Sequence, residues 1–285
     1  MDVASGSDDD TGPVVGASRL TSGRRALSLA LHEWTKSFRM WRLWIALGME
    51  DLSDRYRRTM LGISWVVTSF AAFIFVYIEI FGHGSGVTLA EYGLYVTIGF
   101  GLWSFVSSSV SNGCSVYTSS RNWIMGESIP YPVFFLQTVF RDFVVFMMTL
   151  LVIAAALVWK KQVWSPTTLW AIPGVLAYLL PPLWLGAILA PLCTRYRDVM
   201  HAIQTAMRVL FFATPILWLP SQRSGLAFIA KYNVLTYFIE IVRAPLLENT
   251  FPANAWIVVL LVNAVGIVVG FATYAATRDR IVYWL

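Results

Sequence analysis

The sequence predicts an all-α integral membrane protein with six transmembrane helices, an N-terminal amphipathic interface helix, and short re-entrant helices between the fifth and sixth spans. Three observations predict it. Of 285 residues, 57% are apolar and only 13% charged, with a mean hydropathy of +0.63, more than a soluble surface carries. The charge is crowded toward one end. Residues 1–60 hold 9 of the 21 Lys+Arg and 8 of the 16 Asp+Glu, leaving 12 basic and 8 acidic residues for the other 225 positions. Six apolar stretches follow, each near or above the roughly 20 residues that a helix needs to cross a bilayer. A soluble enzyme, a disulfide scaffold and a disordered protein are thereby excluded. Cys114 and Cys193 lie in apolar contexts without CxxC spacing, so they indicate neither a disulfide framework nor a metal site.

Residues 1–25 are rich in Ser, Gly and Asp, lack an apolar signal-peptide core, and are expected to form a disordered cytoplasmic tail. Over 26–60, Leu27, Leu31, Trp34, Phe38, Trp41, Ile45, Met49, Leu52 and Tyr56 recur at steps of three and four, which marks one helix face. Lys36, Arg39 and Arg42 lie on the other face. A charged, aromatic-rich helix of this kind lies in the membrane interface, with Gly48 as the expected point of a break.

The six-span membrane domain is expected over 61–285, with spans at about 61–81, 92–118, 132–158, 167–192, 200–219 and 254–276. Orientation follows from basic residues near the span ends. With the N-terminus inside, cytoplasmic segments hold the nine basic residues before 61 plus Arg121, Arg195, Arg197, Arg208, Arg278 and Arg280. The opposite side holds Lys160, Lys161, Arg223, Lys231 and Arg243, and Arg141 lies inside a span. Fifteen against five places both termini in the cytoplasm. Residues 220–253 are too apolar for a solvated loop, yet Pro220, Gly225, Pro245 and Pro252 cut them into pieces too short to span. Short helices re-entering from the outer leaflet are expected there. No internal repeat is visible, which argues against an inverted-repeat secondary transporter.

Catalytic motifs are absent. There is no GxxxxGK[ST], HExxH or GxSxG, and His32, His83 and His201 have no metal spacing, so neither a metal nor a nucleotide site is expected in this chain. What stands out is the run Asp54-Arg55-Tyr56-Arg57-Arg58-Thr59 before Leu61-Gly62 at the mouth of the first span. Three guanidinium groups at headgroup level offer planar, bidentate donors to phosphate oxygens, and they equally fit ordinary positive-inside anchoring. A second cluster, Arg195-Tyr196-Arg197-Asp198, fills the turn between spans four and five. The segment 119–130, with Arg121, Asn122, Trp123, Ile124 and Glu127, reads as a short interfacial helix offered to a cytoplasmic partner.

Ionisable groups in or beside spans are Glu79, the adjacent Arg141-Asp142, and Glu240 with Arg243 at i,i+3. The chain carries 13 Trp, 12 Tyr and 18 Phe, many of them inside spans. Phe70, Tyr77, Trp103 and Tyr117, with Ser107 and Ser111 on the serine-rich second span, are candidates to line a passage where sugars stack on rings and bond to hydroxyls. Close helix–helix contact would explain the same serines.

Taken in order, Asp51-Leu52, Arg55 to Thr59 with Leu61-Gly62 and Trp65, Arg195-Tyr196-Arg197-Asp198-Val199, Thr214-Pro215-Ile216, Asn233, and Glu240 to Leu247 resemble the permease subunit of ABC-2 type polysaccharide exporters. That family moves O-antigen, capsule, galactan and teichoic acid polymers. The resemblance covers roughly residues 35–250. It departs at Asn233-Val234, where the family usually has Asn-Pro, and at Tyr131-Pro132, where it has Phe-Pro.

The resemblance implies a homodimer in the bacterial inner membrane with two separate ABC ATPase subunits beneath it. ATP and Mg would be bound by those subunits and no cofactor by this chain. The substrate would be an undecaprenyl-pyrophosphate-linked or other lipid-linked glycan, with membrane lipids as further partners and no nucleic acid. The lipid-pyrophosphate end would enter at Arg55, Arg57, Arg58, Leu61 and Gly62. The N-terminal helix and Arg121, Asn122, Trp123 and Glu127 would meet the ATPases, and an outer gate would include Tyr232, Tyr237, Glu240 and Arg243. The alternatives are an ABC-2 permease for a drug or lipid and, in a different class, a membrane-embedded glycosyltransferase or a proton-coupled transporter using Glu79 or Glu240.

Overall fold

The computed structural model describes the backbone of residues 14–57, 59–220 and 224–285, and the side chains of these from Ala26 on apart from 224–227. Described residues form helices and connecting turns. In chain order the helices are α1 (Val14–Arg39), α2 (Trp41–Tyr56), α3 (Ser64–Phe81), α4 (Leu89–Ser119), α5 (Arg121–Gly126), α6 (Pro132–Trp159), α7 (Ala171–Ala177), α8 (Leu180–Arg195), α9 (Arg197–Ala213), α10 (Ser224–Tyr232), α11 (Val234–Leu247), α12 (Ala253–Thr277) and α13 (Ile281–Trp284). Five stretches, built on α3, α4, α6, α7 with α8, and α12, are long and apolar enough to cross a membrane.

Local chemistry sets the ends. Thr88 caps α4 and Glu91 closes a capping box, each side chain bonding the other's backbone N–H at 3.3 Å. Pro132 opens α6 at a position whose N–H needs no partner. Asn233 caps α11, its Oδ1 accepting from Leu235 N at 3.0 Å, and its Nδ2 donates to Thr214 Oγ1 at 2.7 Å. The Asn-Pro turn is therefore replaced here by a capping turn that also ties down the end of α9.

Four expectations change. The helix begins at Val14, inside the stretch expected to be disordered; residues 1–13 lie outside the described residues. The break in the N-terminal helix falls at Met40, and Gly48 stays inside α2, packed on the Phe140 ring. The fourth span is broken: Tyr178 and Leu179 turn through i→i+3 bonds, and Pro181-Pro182 restart the chain as α8. Over the fifth expected span lies α9, 17 residues long, followed by an irregular segment through 214–219. It is too short to join the five apolar spans, yet it runs the length of the bundle. Arg195, just before it, lies over the Trp284 ring at 5.5 Å, whereas Leu217, just after it, accepts from Tyr92 near the opposite end of α4.

The core forms around α4, the most enclosed of the long helices, which packs against α6 on one side and α8 on the other. Leu94, Ile98, Leu102, Phe105 and Phe146 lie in the main cluster. Phe134, Phe135, Tyr117 and Tyr274 form a second aromatic cluster at one end. The outward faces of α3, α6 and α12 remain apolar, as lipid contact requires.

Candidate functional site

A cleft of about 380 Å³ opens between α3, α4 and α6. Its walls combine the rings of Phe70, Phe73 and Phe100 with the hydroxyls of Ser69, Ser104 and Ser108, and Tyr56 and Trp65 stand at one end. Ser104 and Ser108 sit at i,i+4 and donate to the carbonyls of Gly101 (2.8 Å) and Phe105 (3.0 Å) on their own helix. Each hydroxyl oxygen thereby keeps acceptor capacity toward the cleft. Ring faces beside hydroxyl acceptors suit a polyhydroxylated chain, which presents C–H faces and O–H donors together.

Beneath the cleft lies a polar relay through three helices. Asp51 on α2 accepts from Gln137 Nε2 at 2.7 Å and pairs with Arg141 Nη1 at 3.4 Å. Arg141 Nη2 reaches Asp142 Oδ1 at 3.4 Å, and that oxygen also accepts from Asn112 Nδ2 at 2.8 Å. The relay pins α2, α6 and α4 together. Asp142 Oδ2 is buried, unpartnered among the described residues, and lies on the cleft wall.

Of the five residues expected at a portal, Arg55 and Arg57 are exposed at the end of α2, Leu61 is half-exposed, and Arg58 lies outside the described residues. Gly62 has φ +55°, in the left-handed region, and turns the chain from the basic segment into α3.

Of the six passage candidates, Phe70 lines the cleft. Tyr77 packs tilted against Phe73 at 4.3 Å, and Trp103 is buried against Phe211 of α9 at 5.7 Å. Ser107 and Ser111 are half-buried and lie off the cleft, which the other serine pair lines instead. Tyr117 is wholly buried between Tyr131 and Phe135, a packed aromatic core in place of a passage. Sequence periodicity identifies a serine-rich helix but not which of its faces meets α3 and α6.

At the end of the bundle where α4 finishes, Arg121, Asn122 and Trp123 on α5 are exposed, and Glu127 borders a polar groove of about 530 Å³ with His32, Lys36, Tyr131, Arg278 and Asp279. A contact that no local pattern announces closes this groove. Glu33 of α1 accepts from Tyr274 OH at 2.5 Å and from Arg278 Nε at 3.2 Å, and forms an ion pair with Arg278 Nη2. The first described helix is thus fastened to the far end of the last span.

At the other end, Arg243 of α11 is buried, and Nη1 donates to the Pro215 carbonyl at 2.9 Å. Tyr95 OH donates to the carbonyls of Pro215 and Trp218, and Tyr92 OH to that of Leu217, so two tyrosines of α4 hold the segment after α9. Glu240 is exposed, and among the described residues no ion pair joins it to Arg243. Tyr232 is exposed beside Phe228, and Tyr237 OH donates to the Lys231 carbonyl at 2.6 Å.

No family model matches the chain. It is similar to an O-antigen export system permease protein RfbA of Klebsiella pneumoniae, 23% identical over 240 residues, or 84% of this chain and 93% of that protein. A second Klebsiella pneumoniae protein of the same name is 25% identical over 69% of this chain and 77% of its own length. One from Myxococcus xanthus is 26% identical over 62% of this chain and 68% of its own.

Proposed function

We infer that this chain, an ABC-2 type polysaccharide-export permease by its likeness to those proteins, is the multi-pass membrane subunit through which an O-antigen-like polymer leaves the bacterial cytoplasm. The observation that carries the reading is a match running through 93% of one such permease, in a chain that is almost wholly helical with five apolar spans.

The finer reading extends that likeness. A second copy completes the passage, and two ABC ATPase subunits dock where α1 and the exposed α5 meet. Those subunits bind ATP and Mg; this chain, lacking a P-loop, contributes transport without an ATPase site of its own. Both termini face the cytoplasm of the inner membrane. The lipid-pyrophosphate head of the glycan is drawn to Arg55, Arg57 and Arg58, turns past Leu61-Gly62, and the sugar chain then enters the aromatic and hydroxyl cleft. Arg121, Asn122, Trp123 and Glu127 receive the ATPase stroke, while α10 and α11, with Tyr232, Tyr237, Glu240 and Arg243, close the outer side.

The test is export by the assembled complex. Changing Arg55, Arg57 and Arg58 to Gln is expected to impair polymer export while membrane insertion and ATPase assembly persist. Export at the original rate would rule out the portal. A drug or lipid permease, by contrast, would show no dependence on polymer biosynthesis at all.

A further inference from the structure

We propose that the exposed stripe His201, Thr205 and Arg208 of α9 forms part of the passage wall, and that Arg208 holds an oxyanion of the transported chain. The proposal deepens the export reading and rests on it. These three residues lie at i, i+4 and i+7 and, with Phe212, form one exposed face. The opposite face, Ile203, Met207 and Leu210, packs into the core. Arg208 belongs to the basic residues assigned to cytoplasmic segments on sequence, but the structure sets it well inside the bundle. It is about 16 Å along α9 from the first residue, at 1.5 Å per residue. Its neighbour Met207 shares a cavity wall with Val106 and Val110, and the Phe211 ring lies 5.7 Å from that of Trp103, both near the middle of α4.

A guanidinium level with the middle of α4 is not readily accommodated by hydrocarbon. Among the described residues Arg208 forms no ion pair. Across a two-fold axis a second copy would present the same charge, which repels unless water and an anion lie between. The location fits that demand. Phe100, a wall of the cleft, meets Phe211 of α9 edge-on at 6.1 Å, so α9 packs directly behind the cleft wall. Guanidinium donors suit a phosphate or a carboxylate bidentately, and both occur as oxyanions on glycan chains and their lipid carriers.

The complex with its ATPase subunits, in lipid nanodiscs, is treated with p-hydroxyphenylglyoxal and modification is read peptide by peptide. Arg208 is expected to react, and inorganic pyrophosphate or glucuronate to slow its reaction several-fold; the first protecting assigns phosphate, the second carboxylate. Buried Arg243 serves as the unreactive control. An unreactive Arg208, or one protected by neither anion, overturns the proposal. In a second arm, Arg208→Gln is expected to lower export about tenfold and Arg208→Lys less, with assembly unchanged; full export by Arg208→Gln overturns it too. Wild-type complex that exports no polymer while Arg208 still reacts and is anion-protected would sink the export reading and leave the anion site standing.

Discussion

The Arg243 guanidinium carbon lies 3.7 Å from the centre of the Tyr95 ring, and both side chains donate to one oxygen, the Pro215 carbonyl, at 2.9 Å each. A buried cation here is met by a ring face and a carbonyl, with no carboxylate in its ion-pair shell among the described residues. This ties α11 to α4 through the segment that follows α9.

The fit depends on Gly99, where an added Cβ would stand 2.0 Å from Arg243 Nη2. Gly99→Ala is expected to lower the thermal midpoint in detergent, by about 1–3 kcal/mol of overpacking. Arg243→Met in the same background should recover part of that loss. Simple addition of the two single effects would show that the clash is not the cause.

The relay beneath the cleft predicts an unequal pair of variants. Arg141→Met leaves two carboxylates, Asp51 and Asp142, without their shared cation and should cost about 3–5 kcal/mol. Asp142→Asn still accepts from Asn112 and should cost less. Equal loss of unfolding stability in the two proteins would contradict the relay.

At the other end of the bundle, Glu33→Leu should release α1 from Tyr274 and Arg278. Amide hydrogen exchange over 26–39 is expected to rise, reflecting a loss of about 1.5–3 kcal/mol from charged hydrogen bonds. Glu33→Gln, which still accepts from Tyr274, should fall between. Exchange unchanged in Glu33→Leu would mean that α1 is held by its apolar face alone.

Gly62, in the left-handed region, predicts a position-specific penalty. A β-branched residue there should cost about 1–2 kcal/mol, so Gly62→Val should misdirect the entry into α3 and slow export, whereas Gly62→Asn should be better tolerated. Export rates from the two variants, compared at equal protein level, decide this.

The long spans were legible because each is a continuous apolar run with a chemical full stop: Pro132 opens α6, the Thr88 box opens α4, and α12 fills Ala253–Thr277 against an expected 254–276. The break at Tyr178 and Leu179 was not, since Leu176 to Leu183 is uniformly apolar and only the paired prolines hint at it. The serines of α4 satisfy a helix equally, so sequence alone does not assign them a face; Ser104 and Ser108 share the cleft wall with Phe70 and Phe146. The Glu33 to Arg278 contact joins residues 245 apart, beyond any local pattern. Arg208 was visible as a charge but not as a depth, which only its neighbours on α4 supply.

The fastening of α1 to Arg278 also imposes a parity rule. Glu33 and Arg278 meet at one end of the bundle, so the chain between them must traverse it an even number of times. Five apolar spans make an odd number, so the proposed export topology needs α9 as a further crossing. In that reading a helix polar on one face is indispensable to the topology. A translocation machinery that let α9 slip back out would strand α12 in the opposite sense and leave Glu33 without its partner. The ion pair is thus a check on crossing parity, lost when a single crossing fails.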